Sequence, residues 1–548
     1  MGEFRLLNYA FKTLIRRHFG VIPILYHLQF MRYQLRYFCV IVTLLVGVTG
    51  LQSAGAQYSF DALRLSRQVP GQDAHSLALG SSSAAQMQGF GSYLINPAVA
   101  AKRQTSYFSM GLGMRDVSQE SNYIGQTTSF DDSQTGITHA GFAYSVPTAV
   151  GSLIVGGGYT QTADFNSAYN INAFNDFTSR TYQFLTDYTS DIAFNTFAID
   201  EPEGELRSVF DFGGFAGVDQ YAETTRRGQS GEYGLFLATE FQRDLFIGVS
   251  VGVPVSNYKF DQFFIEEAAW DLSGEPLYTG EENTGTYNID QLLFEEQLRV
   301  DAVGWNAAIG LLYTGLPMLD IGGSFKSGTR WNVEEQFDAF VQTEFLDVVT
   351  YDGQVQADNG DTFGPVVSSD MSGEYSYKVT SPSRIYLGSS TKGLPFFNLS
   401  FSAERINYSS IQLDDFDTQD RRLQISENNF INDNFLDVWD FRAGAAFTHF
   451  EKVEPRLGWA LMSNPIAYLE ENDRQFLSAG LGIGLHQSMN IDIAVQYGIW
   501  STTEDVYYVD ESTGIIEDEA TGAPVTFFET ADQDVERFHA TIGLNIRF

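Results

Sequence analysis

Cysteine, basic residues and long apolar runs are all scarce in this sequence. Its 548 residues include one cysteine, Cys39, and 32 Lys and Arg against 69 Asp and Glu, for a formal net charge of −37. A single cysteine excludes a disulfide framework. The excess of acid argues against a nucleic-acid partner, because a polyanion would be repelled. Apolar residues still make up 43% of the chain, which is enough to bury a core and argues against disorder.

One stretch near the N-terminus is typical of a targeting segment. A positively charged start at 31–36 is followed by the apolar run 40–51, which is too short to span a bilayer as a helix. An Ala-Gly-Ala cleavage site then ends at Ala56. Residues 1–56 are therefore predicted to be a secretory signal peptide with an upstream extension, cleaved before Gln57. An uncleaved signal anchor is the alternative. No later apolar run is long enough for a transmembrane helix, so a mature chain that enters a membrane must do so as a closed β-barrel.

From residue 105 onward, apolar side chains alternate with small or polar ones, as in strands. The last segment is the clearest, with one face made of Phe538, Ala540, Ile542, Leu544, Ile546 and Phe548. Fourteen such strands are predicted, near 105–114, 138–147, 150–164, 230–241, 244–258, 302–314, 318–330, 380–391, 395–409, 436–448, 453–463, 476–486, 488–500 and 535–548. Their connections are alternately short and long, like the periplasmic turns and outer loops of bacterial outer-membrane barrels. Residues 105–548 are therefore predicted to form an all-β fold, a 14-stranded antiparallel transmembrane β-barrel in the bacterial outer membrane with long extracellular loops.

Acidic residues gather in the predicted outer loops. Residues 331–372 contain nine acidic and no basic side chains, and residues 501–534 contain ten acidic and none basic. We interpret these loops as a solvated, hydrophilic surface. A divalent-cation site around Glu517, Asp518 and Glu519 is the alternative, although no spacing there matches a defined calcium loop.

The chain ends on an aromatic residue within an alternating strand. Thr541, Gly543, Ile546 and Phe548 follow the pattern of the β-signal that outer-membrane insertion machinery reads. We therefore expect that machinery to be a partner of the chain through Phe548.

Residues 57–104 do not alternate, and small side chains are frequent among them. The stretch 77–85 contains only Leu, Ala, Gly and Ser, and Asn96, Pro97 and Ala98 follow it after a spacer. Asn-Pro favours the start of a turn or helix, because Pro presets φ and Asn can cap. About 46 residues ahead of the first strand are enough to fold inside a barrel and occlude it.

These motifs resemble the N-terminal hatch of the FadL/TodX family of outer-membrane transporters for long-chain fatty acids and other hydrophobic compounds. The sequence 61–64, Asp-Ala-Leu-Arg, also resembles the start of mature family members. The resemblance extends over essentially the whole chain after residue 56, with the long loops least similar. It implies that residues 57–104 are a hatch inside the lumen, with Asn96, Pro97 and Ala98 as its motif. One departure is at Gln88 and Gly89, where members often have acidic residues.

The resemblance also implies a monomeric barrel and a transport route. Members capture a hydrophobic ligand near the outer loops and pass it to an apolar interior. It leaves when the hatch moves and a kink in the third strand opens the wall sideways. Gly156, Gly157 and Gly158 lie in the predicted third strand, where glycines favour a bulge or bend. We predict the lateral gate there, with close packing against the hatch as the alternative.

Two groups of side chains are candidates for contact with a ligand. The basic residues on predicted inward faces, suited to a fatty-acid carboxylate, are Lys326, Arg384, Arg442 and Arg456. An internal lattice of salt bridges is the alternative for them. The aromatic residues of the loops 259–301 and 331–379, which predict either a capture surface or loop self-packing, are Phe260, Phe263, Phe264, Trp270, Phe337, Phe340 and Phe345.

Enzymatic chemistry finds little support in the sequence. Gly248, Ser250 and Gly252 match the nucleophile-elbow pattern, but they lie in an alternating strand where the motif needs a strand-turn-helix corner. The histidines are scattered and have no cysteine partners, so no metal site and no cofactor is predicted. We predict a non-enzyme that transports long-chain fatty acids or similar hydrophobic molecules, with that ligand and outer-membrane lipid as its contacts. A barrel of this type acting in protein secretion or surface attachment is the alternative.

Overall fold

The computed structural model describes residues 56–71, 73–201, 206–211, 215–270, 289–346, 350–351, 354–355, 365–416, 421–467, 473–517 and 522–548. The predicted signal peptide lies outside these residues, apart from Ala56, and its cleavage stays a prediction. Within the described part of the chain, no helix is both long and apolar enough to cross a membrane.

Fourteen antiparallel strands form one closed barrel, as predicted. They are β1 (Tyr107–Tyr123), β2 (Gln126–Val146), β3 (Leu153–Asp164, continued by Ser167–Asn175), β4 (Val218–Gln242), β5 (Leu245–Ala268), β6 (Ile289–Tyr313), β7 (Leu319–Lys326, continued by Arg330–Phe345), β8 (Val366–Thr380, continued by Arg384–Thr391), β9 (Phe397–Asn407, continued by Gln412–Asp414), β10 (Asp437–Phe447), β11 (Val453–Met462), β12 (Arg474–His486), β13 (Met489–Val509) and β14 (Phe527–Arg547). The barrel closes where β1 pairs with β14, from Tyr107 opposite Arg547 to Asn122 opposite Asp532. Closure satisfies the backbone polar groups of both edge strands, which a lipid environment requires.

Strand β1 shows how the alternation of the sequence becomes the two faces of the wall. The side chains of Phe108, Met110, Leu112 and Met114 are exposed on the outside, and those between them are buried toward the lumen. Such an outward apolar belt faces lipid. The C-terminal Phe548 lies just beyond β14 and donates its backbone N–H to the carbonyl oxygen of Ser106 at 3.1 Å. Its recognition by insertion machinery stays a prediction.

Much of the chain predicted as long outer loops is strand instead. The prediction of a loop at 115–137 is wrong, because β1 and β2 continue as a hairpin to a two-residue turn at Ile124 and Gly125. Both turn residues have positive φ, 45° and 74°, as a tight hairpin turn requires. These extensions carry polar side chains on their outer face, such as Glu120, so they lack the apolar face by which a strand is recognised in sequence.

The other predicted loops are shortened in the same way. Strand β4 begins at Val218, β5 runs to Ala268, β7 runs to Phe345, β13 runs to Val509 and β14 begins at Phe527. The acidic residues of the predicted loop 331–372 therefore include Glu334 and Asp338 on the exposed face of β7. The barrel is taller than its lipid-facing belt, and its acidic surface lies largely on strand extensions.

The remaining elements lie inside the barrel or at its outer end. Before the barrel come α1 (Ala56–Ser66), α2 (Ala74–Ala78) and two 3₁₀ helices (Phe90–Leu94, Pro97–Lys102). Between β3 and β4 come α3 (Thr181–Phe184), α4 (Ser190–Asn195), a small ladder of Ile199–Asp200 with Arg207–Ser208, and a 3₁₀ helix at Val209–Asp211. Helix α5 (Arg421–Asn434) joins β9 to β10, with further 3₁₀ helices at Tyr408–Ser410 and Glu511–Thr513, and Thr350–Tyr351 pairs with Gln354–Val355.

The described residues of 176–211, here called the outer plug, fill the outer end of the barrel. Phe184, Ile192 and Phe210 of the plug are almost fully buried against inward side chains of the strand extensions, among them Phe264 and Phe294. Polar contacts fix the plug as well. Glu266 of β5 accepts a hydrogen bond from the backbone N–H of Arg180 at 2.7 Å and from the Ser179 hydroxyl at 2.6 Å. The outer end of the barrel is thus a packed core.

We predict that Phe210→Ala loosens the outer plug. Removing a fully buried Phe costs about 3–5 kcal/mol, and Phe210 is 0% exposed. Protease added to intact cells should then cleave between β3 and β4 faster than in the native protein. Phe194→Ala is the matched control, because Phe194 of α4 is 43% exposed and its loss should leave the cleavage rate unchanged. Equal rates for both variants would contradict a packed outer plug.

Candidate functional site

Residues 73–102, here called the lumenal segment, lie against the inward faces of the barrel strands. A Cβ atom added at Gly458 of β11 would stand 2.1 Å from the backbone nitrogen of Gly80, and one at Gly322 of β7 would stand 2.0 Å from the carbonyl oxygen of Ala84. Larger side chains at these wall positions would push the segment away. The period-2 glycines of the strands therefore accommodate the small-residue stretch 77–85.

The Asn96-Pro97-Ala98 motif ties the lumenal segment to itself and to the wall. The Asn96 side-chain oxygen accepts the N–H of Ala98 at 3.0 Å, so Asn96 caps the 3₁₀ helix that Pro97 begins. Its amide nitrogen donates to the carbonyl oxygens of Ala84 at 2.6 Å and of Leu311, in β6, at 3.0 Å. One buried side chain thus joins the motif, the small-residue stretch and the barrel. Its part in a moving hatch stays a prediction.

A buried carboxylate that the sequence reading missed holds the two halves of the lumenal segment together. Asp73 caps α2 by accepting the N–H of Ser76 at 2.9 Å, and its second oxygen accepts the N–H of Gly91, also at 2.9 Å. Gly89 has φ 102°, and a Cβ there would stand 2.2 Å from the Asp73 carboxylate. The Asp73 carboxylate therefore lies directly beside Gly89. The spacing of Asp73 and Ser76, typical of an N-cap, was its signal in the sequence.

The glycine triplet of β3 lies in a regular part of the wall. Gly156, Gly157 and Gly158 pair in unbroken register with β2 and with β4, and the register shift of this strand comes later, between Gln161 and Ala163. A Cβ on Gly158 would approach the Phe90 ring of the lumenal segment to 2.9 Å. Of the three glycines, only Gly158 therefore lies close to the lumenal segment. A gate at the triplet and its alternative, close packing of the triplet against the hatch, both stay predictions.

The backbone hydrogen bonding between β2 and β3 stops just past the triplet. Their backbone ladder ends at His139 opposite Thr160. In the described ladders, residues 126–138 of β2 pair with β1, and Ser167–Asn175 of β3 pairs with β4. Side chains bridge the gap, such as Gln134, whose amide donates to Asn166 at 2.8 Å. This part of the wall, here called the β2–β3 seam, lacks the backbone ladder found elsewhere in both strands.

A cavity of about 520 Å³ lies beside α1 and reaches the seam. Residues 164–167 of the seam form part of its lining, together with apolar side chains that include Leu63, Phe476 and Trp500. The backbone N–H of Val69, in the chain between α1 and the lumenal segment, donates to the carbonyl oxygen of Thr162 at 3.0 Å. The cavity is therefore bounded by α1, by the wall and by the edge of the seam.

The cavity also has charged walls. Four arginines of its lining contact acids or aromatic rings. Arg64 lies 2.5 Å from Asp61 and 3.4 Å from the Tyr258 ring centroid. The others are Arg226, 2.8 Å from Glu504, Arg537, 3.3 Å from Asp164, and Arg474, 4.9 Å from the Trp500 ring centroid. Ion pairs and ring faces together offer an amphipathic surface, suited to a ligand with an apolar body and a polar end.

The four basic residues predicted as ligand contacts are all buried in ion pairs. Lys326 binds Glu232 at 2.7 Å, Arg384 and Arg442 share Glu404, and Arg456 binds Asp492 at 2.5 Å and Glu454 at 2.7 Å. None of the four lines the 520 Å³ cavity. The geometry is that of the alternative prediction, an internal salt-bridge lattice, and a ligand role for these residues stays a prediction.

The predicted capture aromatics are divided between core and surface. Phe264, Phe337 and Phe345 are buried on the strand extensions, Phe260 lines the cavity, and Trp270 is 46% exposed. Most of this group therefore packs inside the barrel. In the described part of the chain, no group of three or more His, Cys, Asp and Glu is placed to hold a metal. Of the predicted alternative cation site, Asp518 and Glu519 lie outside the described residues.

Comparison with known proteins gives a match in structure only. No family model matches the sequence, and no curated protein matches it. A Pseudomonas aeruginosa FadL homologue has a TM-score of 0.50 and 10% identity, over 88% of this chain and 99% of that one. The chain has the fold of FadL-type barrels.

Two toluene transporters are also similar in structure. TodX of Pseudomonas putida has a TM-score of 0.49 and 12% identity, over 88% of this chain and 99% of that one. TbuX of Ralstonia pickettii has a TM-score of 0.45 and 14% identity, over 88% and 99%. At identities this low, similarity of structure concerns the fold alone, and the function has to be argued from this chain's own residues.

We predict that Glu404→Gln destabilises the barrel strongly. Glu404 is 1% exposed and serves two buried arginines, and breaking a buried ion pair costs about 3–5 kcal/mol because charge is left uncompensated. Asp437→Asn is the matched control, since the Arg405–Asp437 pair on the same two strands is exposed and such pairs contribute about 0–1 kcal/mol. Urea unfolding of the purified barrel measures both. Equal midpoints would contradict the lattice.

Proposed function

We propose that the protein carries long-chain fatty acids or similar hydrophobic molecules across the outer membrane. The observation that supports this most directly is an amphipathic cavity inside the barrel that reaches the β2–β3 seam. An apolar ligand gains about 25 cal/mol for each Å² of apolar surface buried. A cavity with a side exit lets the ligand keep that gain until it reaches lipid.

In this proposal the lumenal segment is the hatch. It packs against wall glycines on several sides of the barrel and is held by the hydrogen bonds of Asn96 and Asp73. Buried apolar side chains of the segment, such as Tyr93, also pack against the wall, where the Tyr93 and Phe236 ring centroids lie 4.8 Å apart. Movement of the hatch therefore has to break this apolar contact as well as the polar ones.

We place the lateral exit at the end of the seam next to Thr160, where it borders the lipid-facing belt, and assign Gly158 to seating the hatch. Opening the wall through Gly156, Gly157 and Gly158 would break backbone ladders on both sides of β3. Opening the seam breaks side-chain contacts such as Gln134–Asn166. Each backbone hydrogen bond left unmade in lipid costs several kcal/mol. Opening the seam therefore requires less free energy than opening the wall at the triplet.

We predict that a disulfide across the seam blocks transport. Gln134→Cys with Asn166→Cys, in a chain with Cys39→Ser, places thiols at two positions whose native side chains meet across the seam, with Gln134 Nε2 at 2.8 Å from Asn166 Oδ1. Uptake of labelled oleate by cells should fall to the level of a deletion strain when the pair is oxidised and recover after reduction. Each single cysteine variant is the control and should transport normally. Full uptake by the oxidised double variant would rule out the seam as the exit.

The deletion strain tests the function itself. If labelled oleate uptake is the same with and without the protein, and the purified barrel holds no lipid, the transport proposal fails. In that case the interaction role in secretion or surface attachment becomes the proposal to test.

A further inference from the structure

At the outer end of the barrel the outer plug packs as a core, and none of its described residues lines the cavity. Toward β9 and β10 the boundary of the cavity is different. There α1 presents Phe60, Leu63 and Arg64 to the cavity, and α5 packs on the far side of α1. The outward residues of α5, among them Ile425 and Asn429, are exposed. On this side α1 lines the cavity, and α5 packs against α1.

The contact between the two helices is centred on one buried carboxylate. Glu427 of α5 is 1% exposed and accepts the backbone N–H of Ser59 at 2.8 Å, in the first turn of α1, where N–H groups have no partner within the helix. The Ser59 hydroxyl donates to the same carboxylate and to the Glu427 carbonyl oxygen, the latter at 3.3 Å. Glu427 therefore caps α1 from another element of the chain.

Aromatic contacts join α1 to α5 and to Phe416, which precedes α5 in the chain. Tyr58 lies 5.1 Å from Phe416 and Phe60 lies 6.2 Å from Phe430, measured between ring centroids. They form an aromatic cluster at the edge of the cavity. A ligand with an apolar body can replace ring contacts of this kind with its own.

We propose that α1 is the door through which ligand reaches the cavity from outside, and that Glu427 is the latch that holds it closed. The identity of the ligand rests on the proposed function, whereas the door concerns only how molecules reach the cavity. Glu427 acts as a positioning residue, because it touches α1 and not the cavity. When its contact with Ser59 breaks, α1 loses its cap and the cavity opens beneath α5.

The door is tested by the access of a reagent to a thiol inside the cavity. Val535→Cys places a reporter on the cavity lining, at a residue 5% exposed, in a chain with Cys39→Ser. A membrane-impermeant, negatively charged methanethiosulfonate is added to intact cells and the rate of reporter modification is measured. Adding Ser59→Cys and Glu427→Cys allows α1 to be locked to α5 by a disulfide.

Oxidation of the lock should slow reporter modification sharply, and reduction should restore it. At pH 6, Glu427→Ala should speed modification about tenfold, the change expected when a hydrogen bond worth about 1.4 kcal/mol is lost. At the same pH, Glu427→Gln keeps an acceptor oxygen and should fall between Glu427→Ala and the native protein. Asp433→Ala, at an exposed position of α5, is the matched control and should not change the rate.

Two outcomes overturn the door, and they differ from failure of the transport proposal. Equal modification rates in the locked and reduced proteins would overturn it. So would a locked seam, made by Gln134→Cys with Asn166→Cys, that slows modification as much as the α1 lock, because the reagent would then enter through the seam. If the α1 lock slows entry of the reagent while oleate uptake does not depend on the protein, the transport proposal is wrong and the proposal of the door is supported.

The latch should also respond to pH. Burial raises the pKa of the Glu427 carboxyl to about 7, and Asp61 of α1, the charged group that acts on it most, raises the pKa further, against the lowering effect of the Ser59 donors. A raised pKa means that the latch is fully effective below about 4.5 and weakens as pH rises through about 7. The ratio of modification rates between the native and E427Q proteins should therefore rise from pH 6 to pH 8. A constant ratio would exclude Glu427 as the titrating latch.

Discussion

Close packing between a glycine-lined wall and a small-residue segment is the constraint on which the rest of this structure depends. Gly458 meets Gly80 and Gly322 meets Ala84 at distances that leave no room for a Cβ atom on the wall. The lumenal segment can therefore lie inside the barrel without widening it. It can also be held by a few polar groups, because the surfaces already fit. The glycine content that marks the sequence is a property of this interface.

Charged side chains inside the barrel are stabilised by partners, whereas those on its outer surface are stabilised by water. Inside, buried arginines and lysine meet carboxylates in ion pairs that cross from strand to strand, as Arg442 does to Glu404. Outside, acids such as Glu120, Glu334 and Asp338 project from strand extensions into solvent. Other buried acids accept hydrogen bonds from hydroxyl and backbone N–H groups instead of pairing with a base. The exposed acids contribute to the net charge of −37. Aromatic and aliphatic side chains occupy the lipid-facing belt and the core of the outer plug.

The lipid-facing belt was readable from the sequence because one face of each strand must be apolar there. Strand β14 was the clearest case, and the count of fourteen followed from the same pattern. Above the belt that requirement disappears, so the extensions of β1 and β2 resembled loops. The Asn96 motif was recognisable because its hydrogen bonds are local, with Ala98. The partners of Glu404, Asp73 and Glu427 come from distant segments, and the seam is an absence of pairing, which leaves no mark in the sequence.

The hydrogen bond from Val69 to Thr162 connects the chain between α1 and the lumenal segment to the barrel wall. It fastens the short chain between α1 and Asp73 to β3 at the place where the register shifts. A pull on that chain from α1 is carried first to the wall and only afterwards to the lumenal segment. Displacement of α1 would therefore act on β3 through this hydrogen bond before it acts on the lumenal segment.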